Sequence, residues 1–385
     1  MRPSLTLGIE EEYLIVDRQS LDLVQRPDPA FLAACGEALG AQVTGEFLQC
    51  QVEVGTRPHA RVADAAAELL ALRKGVAACA ARFGYAPIAA STHPFAKWRR
   101  QHHTRKQRYD ALNDNLGQVV RRMLICGMHI HAGIEDEDER IDLMGQVSYF
   151  LPHLLAFSTS SPFWEGDDTG LASYRLSVFD ALPRTGLPDP VESYGEYQRL
   201  VGALVKAGTI EDATRIWWDI RPSDKFPTLE QRITDICGTV QEAAAIAAVY
   251  QSLLLYFHRL KAKNQKWRRY PNTLILENRW QAQRHGVTGD LIDWGRGEMV
   301  GFASLAEELV ALVSEEAAAL GSLKELRYLN VIAKNGPSAV RQRRVHRAAM
   351  QRGESHEGAM KAVVAYLVEG FASENGPTPS KKDEA

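Results

Sequence analysis

The chain has 385 residues, of which 45% are hydrophobic and 24% are charged, and its formal net charge is −3. This length and composition are typical of a soluble globular protein with a large core, and they exclude a disordered or fibrous chain. A net charge so close to zero creates no global field that would recruit nucleic acid or an anionic membrane, so we expect neither as a partner.

Cysteine content and the chain's apolar segments favour a cytoplasmic protein. An odd number of scattered thiols without CxxC spacing indicates reduced core residues rather than a disulfide frame or a zinc site. The N-terminus lacks the basic and apolar regions of a signal peptide. The longest apolar run, 243–257, is interrupted by Gln251 and is too short to span a bilayer, so it predicts a buried helix. The five cysteines are Cys35, Cys50, Cys79, Cys126 and Cys237.

The first predicted element is a β-strand over residues 7–16. Side chains alternate between the two faces of a strand, so Glu10 and Glu12 share one face while Ile9 and Tyr13 lie on the other. Two neighbouring carboxylates repel each other, which predicts a cation above them. An exposed strand with a solvated face is the alternative, and the segments downstream favour the first interpretation.

Two further segments alternate in the same way. Residues 47–55 place Glu53 on a polar face, and residues 125–134 place His129 and His131 on a face shared with glycines. Small and imidazole side chains on one face predict a strand that lines a cavity. A pair of structural histidines with satisfied hydrogen bonds is the alternative.

The segments between and after these strands are mainly helical in pattern. No repeat and no linker divides the chain, so we expect one domain over residues 1–372 and a disordered tail over 373–385. A short strand is expected over residues 86–91. Helices are expected over residues 28–39, 61–83, 135–159, 237–263, 275–283, 304–320, 341–347 and 357–371.

Two loop regions carry functional signals. Residues 97–108 are basic, but aromatic residues are few among them, which favours a solvated or anion-facing surface over a nucleic-acid site. Residues 160–174 are rich in Pro, Gly and Asp, which is typical of an ordered loop that closes over a site. Arg175 follows this loop directly.

A fourth strand region combines acids with arginines. Asp219 is followed two residues later by Arg221, and Glu230 by Arg232, so each pair would share a strand face. A carboxylate and a guanidinium together suit a metal ion and the phosphate that it binds.

The polar faces of these strands would form one concave surface if the strands are neighbours in an antiparallel sheet. Carboxylates and one imidazole suit Mg²⁺ or Mn²⁺ better than zinc, because hard cations prefer oxygen ligands. Arg175, Arg221 and Arg232 would balance the phosphates of a nucleotide. The sequence contains no P-loop, Rossmann, zincin or α/β-hydrolase motif. What remains is a metal-carboxylate sheet that binds ATP without a P-loop.

Five motifs in order resemble the carboxylate-amine ligase family, the weak glutamate-cysteine ligases of bacteria. Residues 161–175 and 277–280 are also similar to this family, and the matches run from about residue 5 to about residue 350. The five motifs are Gly8-Ile9-Glu10-Glu11-Glu12, Val52-Glu53-Val54-Gly55-Thr56, Gly127-Met128-His129-Ile130-His131, Trp218-Asp219-Ile220-Arg221 and Thr228-Leu229-Glu230-Gln231-Arg232.

The resemblance implies an α+β fold of the glutamine-synthetase type, a curved antiparallel sheet with helices packed on one side. Glu46 lies seven residues before Glu53 and so has the opposite strand parity, which places it past a bend or in the preceding loop. Asp219 competes with Glu230 for one position, and the following Asp235 favours Glu230. The metal ligands implied by the resemblance are Glu10, Glu12, Glu46, Glu53, His129 and Glu230.

The resemblance also implies the reaction. ATP would phosphorylate a substrate carboxylate, and an amine would attack the resulting acyl phosphate. Glutamate and cysteine are the expected acid and amine, although the family leaves room for other acceptors. We expect Arg175, Arg221 and Arg232 to be catalytic. The residues expected to bind ATP are Arg221, Arg232, Asn278 and Arg284.

Two other functions stay open at this point. A metal-dependent amide hydrolase could use the same carboxylates to activate water. A non-catalytic protein that binds a nucleotide or an amino acid could have kept the pocket, although the intact set of glutamates argues against a degenerate site. The resemblance further implies a homo-oligomer, with a dimer as the expected state.

Overall fold

The computed structural model describes residues 2–105, 114 and 116–373. Its strands are β1 (Leu7–Asp17), β2 (Val43–Gly45), β3 (Gln51–Gly55), β4 (Tyr85–Ile88), β5 (Met128–Gly133), β6 (Phe163–Trp164), β7 (Asp167–Asp168), β8 (Thr185–Gly186), β9 (Trp217–Trp218), β10 (Ile220–Pro222), β11 (Thr228–Gln231), β12 (Asp290–Asp293) and β13 (Glu298–Gly301). Its α-helices are α1 (Pro29–Leu39), α2 (Val62–Ala81), α3 (Gln118–Arg121), α4 (Glu137–Val147), α5 (Leu151–Ser158), α6 (Tyr174–Phe179), α7 (Tyr194–Lys206), α8 (Val240–Ala262), α9 (Asn272–His285), α10 (Phe302–Leu320), α11 (Leu323–Asn335), α12 (Ser338–Gln351) and α13 (His356–Gly370).

The main sheet has the strand order β10-β11-β5-β1-β3-β2, and β4 pairs with the end of β1. Every pairing in this sheet is antiparallel. Residues directly opposite each other on antiparallel strands share a face, so the register decides which polar side chains meet. The α+β class and the antiparallel sheet predicted from the sequence are confirmed.

The register brings the predicted site residues together. Glu12 lies opposite Glu53, and Glu10 lies opposite His129. One strand further along, Glu230 lies opposite His131. The strands that alternate in the sequence are therefore neighbours in the sheet, and their polar faces form one surface.

The other face of β1 packs against helices. Ile9, Tyr13 and Glu11 are fully buried there. Arg73 of α2 donates to both carboxylate oxygens of Glu11, at 2.7 and 2.8 Å, and neither side chain has any exposure. The hydroxyl of Tyr13 donates to the same carboxylate at 2.8 Å. This buried ion pair ties α2 to the central strand.

Helix α8 forms the middle of the helical layer, as the apolar run predicted. It begins with a capping box between Thr239 and Glu242. Among the described residues, α8 is the only helix long and apolar enough to cross a membrane. However, 89% of its most apolar 18-residue window is buried inside the protein. Tyr250 donates to the carbonyl of Leu229 at 3.0 Å, and Gln251 to that of Leu5 at 2.7 Å. These contacts make α8 a core helix.

Several boundaries differ from the sequence-based expectations. The long helix expected over 135–159 is broken at residues 148–150, where a 3₁₀ turn precedes Pro152 in the first turn of α5. The strand expected over 47–55 begins only at Gln51. Helices α7 and α11 and the β12–β13 hairpin had no counterpart among the predicted elements.

Two predicted regions fall partly outside the described residues. Of the basic segment 97–108, only residues 97–105 are described. Of the tail 373–385, only Ser373 is described.

Candidate active site

Three carboxylates form a first group on the polar face of the sheet: Glu12, Glu46 and Glu53, with one oxygen from each within 4.8 Å of the others. Glu12 and Glu53 meet because β1 and β3 pair in register. Glu46 comes from the bend between β2 and β3, where its carbonyl accepts a hydrogen bond of 2.7 Å from Thr104. Glu46 thus lies in a bend before β3, as expected from its spacing of seven residues from Glu53.

The first group is poorly compensated by the protein itself. Burial and the neighbouring Glu46 raise the pKa of Glu12 to about 7. Burial and repulsion from Glu10 and Glu46 raise the pKa of Glu53 well above its usual value. The amide of Gly127 donates to Glu12 at 2.7 Å, which only partly offsets these effects. Three clustered carboxylates of this kind match the oxygen ligands that Mg²⁺ and Mn²⁺ prefer.

A second group contains Glu10, His131 and Glu230, again with ligand atoms within 4.8 Å of one another. Nε2 of His131 lies 3.4 Å from Glu10 and has no hydrogen-bond partner among the described residues. Nδ1 of His129 lies 3.5 Å from Glu10 and 4.0 Å from Glu230. The sequence-based ligand set named His129 alone, so His131 is the residue that it missed, although both imidazoles share one face of β5.

The acids of the second group are ionised. Burial opposes ionisation of Glu10, but the nearby imidazoles of His129 and His131 lower its pKa. Burial likewise opposes ionisation of Glu230, but Arg232 lowers its pKa. Burial and Arg232 lower the pKa of His129 to about 4, so its imidazole is neutral and can act as a ligand.

All three predicted arginines lie at the site. Nε of Arg221 donates to Glu230 at 2.9 Å, and Arg232 forms a second ion pair with the same carboxylate. Arg175 donates to the carbonyl of Arg232 at 3.1 Å. A Cβ atom at residue 127 would lie 2.6 Å from the guanidinium of Arg175, so Gly127 leaves the space that this arginine occupies.

The loop that precedes Arg175 is anchored by Asp235. The carboxylate of Asp235 accepts hydrogen bonds from Ser160, Ser161 and Ser173 at 2.7–2.8 Å. The hydroxyl of Ser161 in turn accepts a hydrogen bond from the amide of Arg175 at 3.1 Å. The loop is therefore ordered, and it fixes the start of α6 beside the sheet.

A cavity of about 130 Å³ opens between the first group and the arginines. Its lining combines polar and apolar side chains. The polar ones are Glu12, Glu46, Gln51, His129, Arg175 and Arg232, and the apolar ones are Phe47, Val120, Met123, Ile125, Phe179, Leu182 and Trp217.

Asp219 does not pair with Arg221, contrary to the sequence-based expectation. Its buried carboxylate accepts a hydrogen bond of 2.7 Å from Nε of Arg279, which also binds Asp180. It belongs to neither carboxylate group, because β9 and β10 are separate short strands and Asp219 falls between them. The preference for Glu230 over Asp219 agrees with this placement.

Asn278 and Arg284 lie elsewhere. The side-chain amide of Asn278 forms hydrogen bonds of 2.7 and 2.8 Å with the backbone of Ile292 in β12. Arg284 is exposed and lines a different, polar cavity together with Asp168 and Arg343. Neither lines the cavity at the sheet, so we leave both out of the ATP site proposed below.

Two solved structures have a fold similar to that of this chain. The chain is similar to a glutamate-cysteine ligase from Francisella tularensis in complex with AMP, with a TM-score of 0.67 and 13% identity over 96% of this chain and 89% of that one. It is also similar to a bifunctional glutathione synthetase from Pasteurella multocida, with a TM-score of 0.68 and 15% identity over 95% of this chain and 53% of that one. The chain shares the fold of these two ligases.

The sequence comparisons give the family. The model of glutamate-cysteine ligase family 2 matches residues 6–365. A relative from Ruegeria pomeroyi is 55% identical over 96% of both chains, and one from Rhodospirillum rubrum is 54% identical over 95% of both; each is named "Putative glutamate--cysteine ligase 2". The chain belongs to glutamate-cysteine ligase family 2. It is an ATP-dependent ligase, as the resemblance predicted.

Proposed function

We propose that the protein joins the γ-carboxylate of glutamate to the amine of cysteine or of another small acceptor, and that ATP drives the reaction. The observation that carries this proposal is the pair of acidic groups on one sheet face, flanked by three arginines and open to a cavity. Carboxylates beside guanidinium groups are what a reaction between a nucleotide triphosphate and an anionic substrate requires.

The acidic groups fit Mg²⁺ or Mn²⁺. Glu12, Glu46 and Glu53 would hold one ion, and Glu10, Glu230 and an imidazole would hold another. The raised pKa values of Glu12 and Glu53 support this assignment, because burial and neighbouring acids disfavour their charged forms and a bound cation would stabilise those forms. When bound, the ions would neutralise charge on the phosphates of ATP.

The reaction needs no covalent intermediate on the protein. An oxygen of the substrate carboxylate attacks the γ-phosphorus of ATP, which releases ADP and forms an acyl phosphate. The amine then attacks the carbonyl carbon, and phosphate leaves as the amide forms. Arg175, Arg221 and Arg232 would stabilise the charge on the transferred phosphoryl group, because fixed guanidinium donors act strongly in a partly dry site.

The cavity suggests where the acceptor lies. Its polar lining includes Glu12 and Arg175, beside which an amine could reach the acyl phosphate. Its apolar lining, which includes Phe47 and Trp217, would contact the acceptor's side chain. The thiol-bearing side chain of cysteine is small enough to enter this space.

The direct test is ADP release by the purified protein with Mg²⁺ and ATP. Glutamate is supplied alone and then with a panel of amino acids and amines that includes cysteine. The proposal predicts amine-dependent ADP release matched by a new amide in mass spectrometry, which would also name the acceptor. If no amine stimulates ADP release, the proposed reaction is wrong.

We also propose a homodimer in the cytoplasm, without nucleic-acid or membrane partners. The support comes from the resemblance to the family and from the near-neutral net charge. Light scattering coupled to size-exclusion chromatography measures the oligomeric state directly, and a monomeric mass would contradict the dimer.

A further inference from the structure

A second cavity lies in the helical layer, away from the sheet. Its volume is about 240 Å³, and it shares no lining residue with the cavity beside Glu12. For comparison, an apolar protein cavity of about 150 Å³ is large enough to bind benzene. Its lining residues are Tyr149, Phe150, His153, Trp267, Tyr270, Asp293, Gly295, Leu305, Glu308, Leu309 and Leu312.

Aromatic rings form one side of this cavity. The ring centroids of Tyr149 and Tyr270 are 5.2 Å apart, and those of Phe150 and Trp267 are also 5.2 Å apart. Such rings attract organic cations through their negative faces. The guanidinium of Arg268 already lies 5.0 Å from the ring centroid of Tyr270, which shows that this cluster attracts positive charge.

Two carboxylates also line the cavity. Asp293 is held by its own turn, where it accepts a hydrogen bond of 2.7 Å from the amide of Gly295. Glu308 lies on α10 and is 48% exposed. Arg296 bridges them, at 3.3 Å from Asp293 and 2.8 Å from Glu308, while 47% of its side chain is exposed. The lining itself contains these two acids and no lysine or arginine.

The bridge by Arg296 is easily replaced. Arg296 and Glu308 are both about half exposed, and an ion pair of this kind contributes little to stability, so an incoming cation would lose little by displacing the guanidinium from Glu308. Such a cation would gain contact with the aromatic rings, which Arg296 is not seen to make.

The cavity wall also contains unpaired buried polar atoms. Nδ1 of His153 and Nε1 of Trp267 have no hydrogen-bond partner among the described residues. The side chain of His153 is almost fully buried, and burial lowers its pKa to about 4, so its imidazole is neutral. A neutral imidazole can accept a hydrogen bond from an ammonium group.

We infer that this cavity binds a small primary amine with an apolar or aromatic body, whose ammonium group lies between Asp293 and Glu308 in place of Arg296. The aromatic rings and the leucines of α10 contact the body of the amine. This site is separate from the ligase reaction at the sheet and does not depend on the substrates proposed for it.

The test is calorimetric titration of the full-length protein with phenethylamine and with its neutral analogue 2-phenylethanol. We expect the amine to bind more tightly than the alcohol. Glu308→Gln should weaken amine binding several-fold and leave alcohol binding unchanged. Glu307→Gln is the matched control, because Glu307 is exposed on the same helix and does not line the cavity.

A further variant locates the bound amine. Tyr270→Ala removes one aromatic wall and should weaken both ligands. Equal binding of amine and alcohol, or wild-type amine binding by Glu308→Gln, would overturn the inference, as would the absence of amine binding. Unchanged binding by Tyr270→Ala would place the amine elsewhere and would also overturn it.

Discussion

The three consecutive glutamates of β1 have different roles because they lie on different faces of one strand. Glu11 faces the helices, where Arg73 binds both of its oxygens and water has no access. Glu10 and Glu12 face the cavity side, where they are grouped with other acids. One face of the strand thus holds a compensated charge, and the other holds acids in excess.

The comparison teaches how a buried carboxylate is made structural or functional. Arg73 and Tyr13 bind the carboxylate of Glu11, so its negative charge is stabilised inside the core. An incomplete set of partners around Glu12 raises its pKa to about 7, because burial and Glu46 disfavour its charged form. A bound metal ion would therefore stabilise the charged form of Glu12 more than that of Glu11, whose charge is already paired.

The largest effect is expected on the cavity side, from Glu53→Gln. This change removes one ligand of the first group while keeping size and shape, so ATP turnover should be abolished. Because the carboxylate of Glu53 is buried among other acids, the free energy of unfolding without metal should stay equal or rise. ADP release and urea unfolding measure the two effects. Glu37→Gln, on the exposed side of α1, is the control. Turnover like that of the wild type would remove Glu53 from the ligand set.

On the helix side, Arg73→Met should have the opposite effect on stability: the folded protein should become less stable, whereas Glu53→Gln should not destabilise it. The change leaves the carboxylate of Glu11 buried without its partner, which should lower the free energy of unfolding by about 3–5 kcal/mol. Urea unfolding measures the loss. Arg57→Met is the matched control: Arg57 pairs with Glu68 at 2.7 Å but is largely exposed, so its loss should cost at most about 1 kcal/mol. Equal effects of the two changes would contradict the distinction between the faces.

A third prediction concerns pH. The pKa of Glu12 is raised from 4.5 to about 7, so the folded protein keeps a proton that the unfolded chain releases above pH 4.5. Stability from this group is therefore complete below pH 4.5 and is lost as pH rises to about 7, by up to roughly 3 kcal/mol in metal-free protein.

Urea unfolding between pH 5 and pH 8, with EDTA or with Mg²⁺, measures this effect. Bound metal should oppose the loss, because only the ionised Glu12 can act as a ligand, so the stabilisation by Mg²⁺ should grow with pH. Glu12→Gln should flatten the pH profile of the metal-free protein. An identical profile for this variant and the wild type would show that Glu12 titrates normally.

The fourth prediction is that Arg232→Lys lowers kcat by about 100-fold, as loss of a positioned donor to a transition state commonly does. A lysine provides a point charge but not the planar fork that meets Glu230. Arg343→Lys is the control, because Arg343 also pairs with a carboxylate, that of Asp168, but outside the proposed site. Unchanged kinetics would place Arg232 outside the active site.

Much of the sheet could be predicted from the sequence because its strands alternate strictly in polarity. The positions of Glu10, Glu12 and Glu53 follow from that alternation. The resemblance to the family added Glu46, and its strand parity relative to Glu53 indicated the bend. The partner of Glu11 could not be predicted, since Arg73 lies 62 residues away on a helix whose other inward residues are ordinary core.

Other errors have similar physical causes. Asp219 and Arg221 share a strand parity, but a break between β9 and β10 turns Asp219 towards Arg279. Asn278 and Arg284 were expected to bind ATP from the resemblance alone, a prediction that stays untested; in the structure Asn278 contacts β12 and Arg284 lines an outer cavity. Helix packing of this kind leaves no local signal in the sequence.

The smallest predicted effect comes from Gly127→Ala, which tests the cavity side without removing any charge. The new Cβ would lie 2.6 Å from Nη2 of Arg175, so the guanidinium must move while the flexible side chain spares the fold. A displaced catalytic group costs rate rather than stability, so we expect kcat to fall about tenfold with little change in urea unfolding. Gly202→Ala is the control, because a Cβ there meets no atom within 4 Å. If both variants keep full activity, the position of Arg175 does not affect the reaction. Catalytic activity would then depend on the acids of the site and not on this arginine.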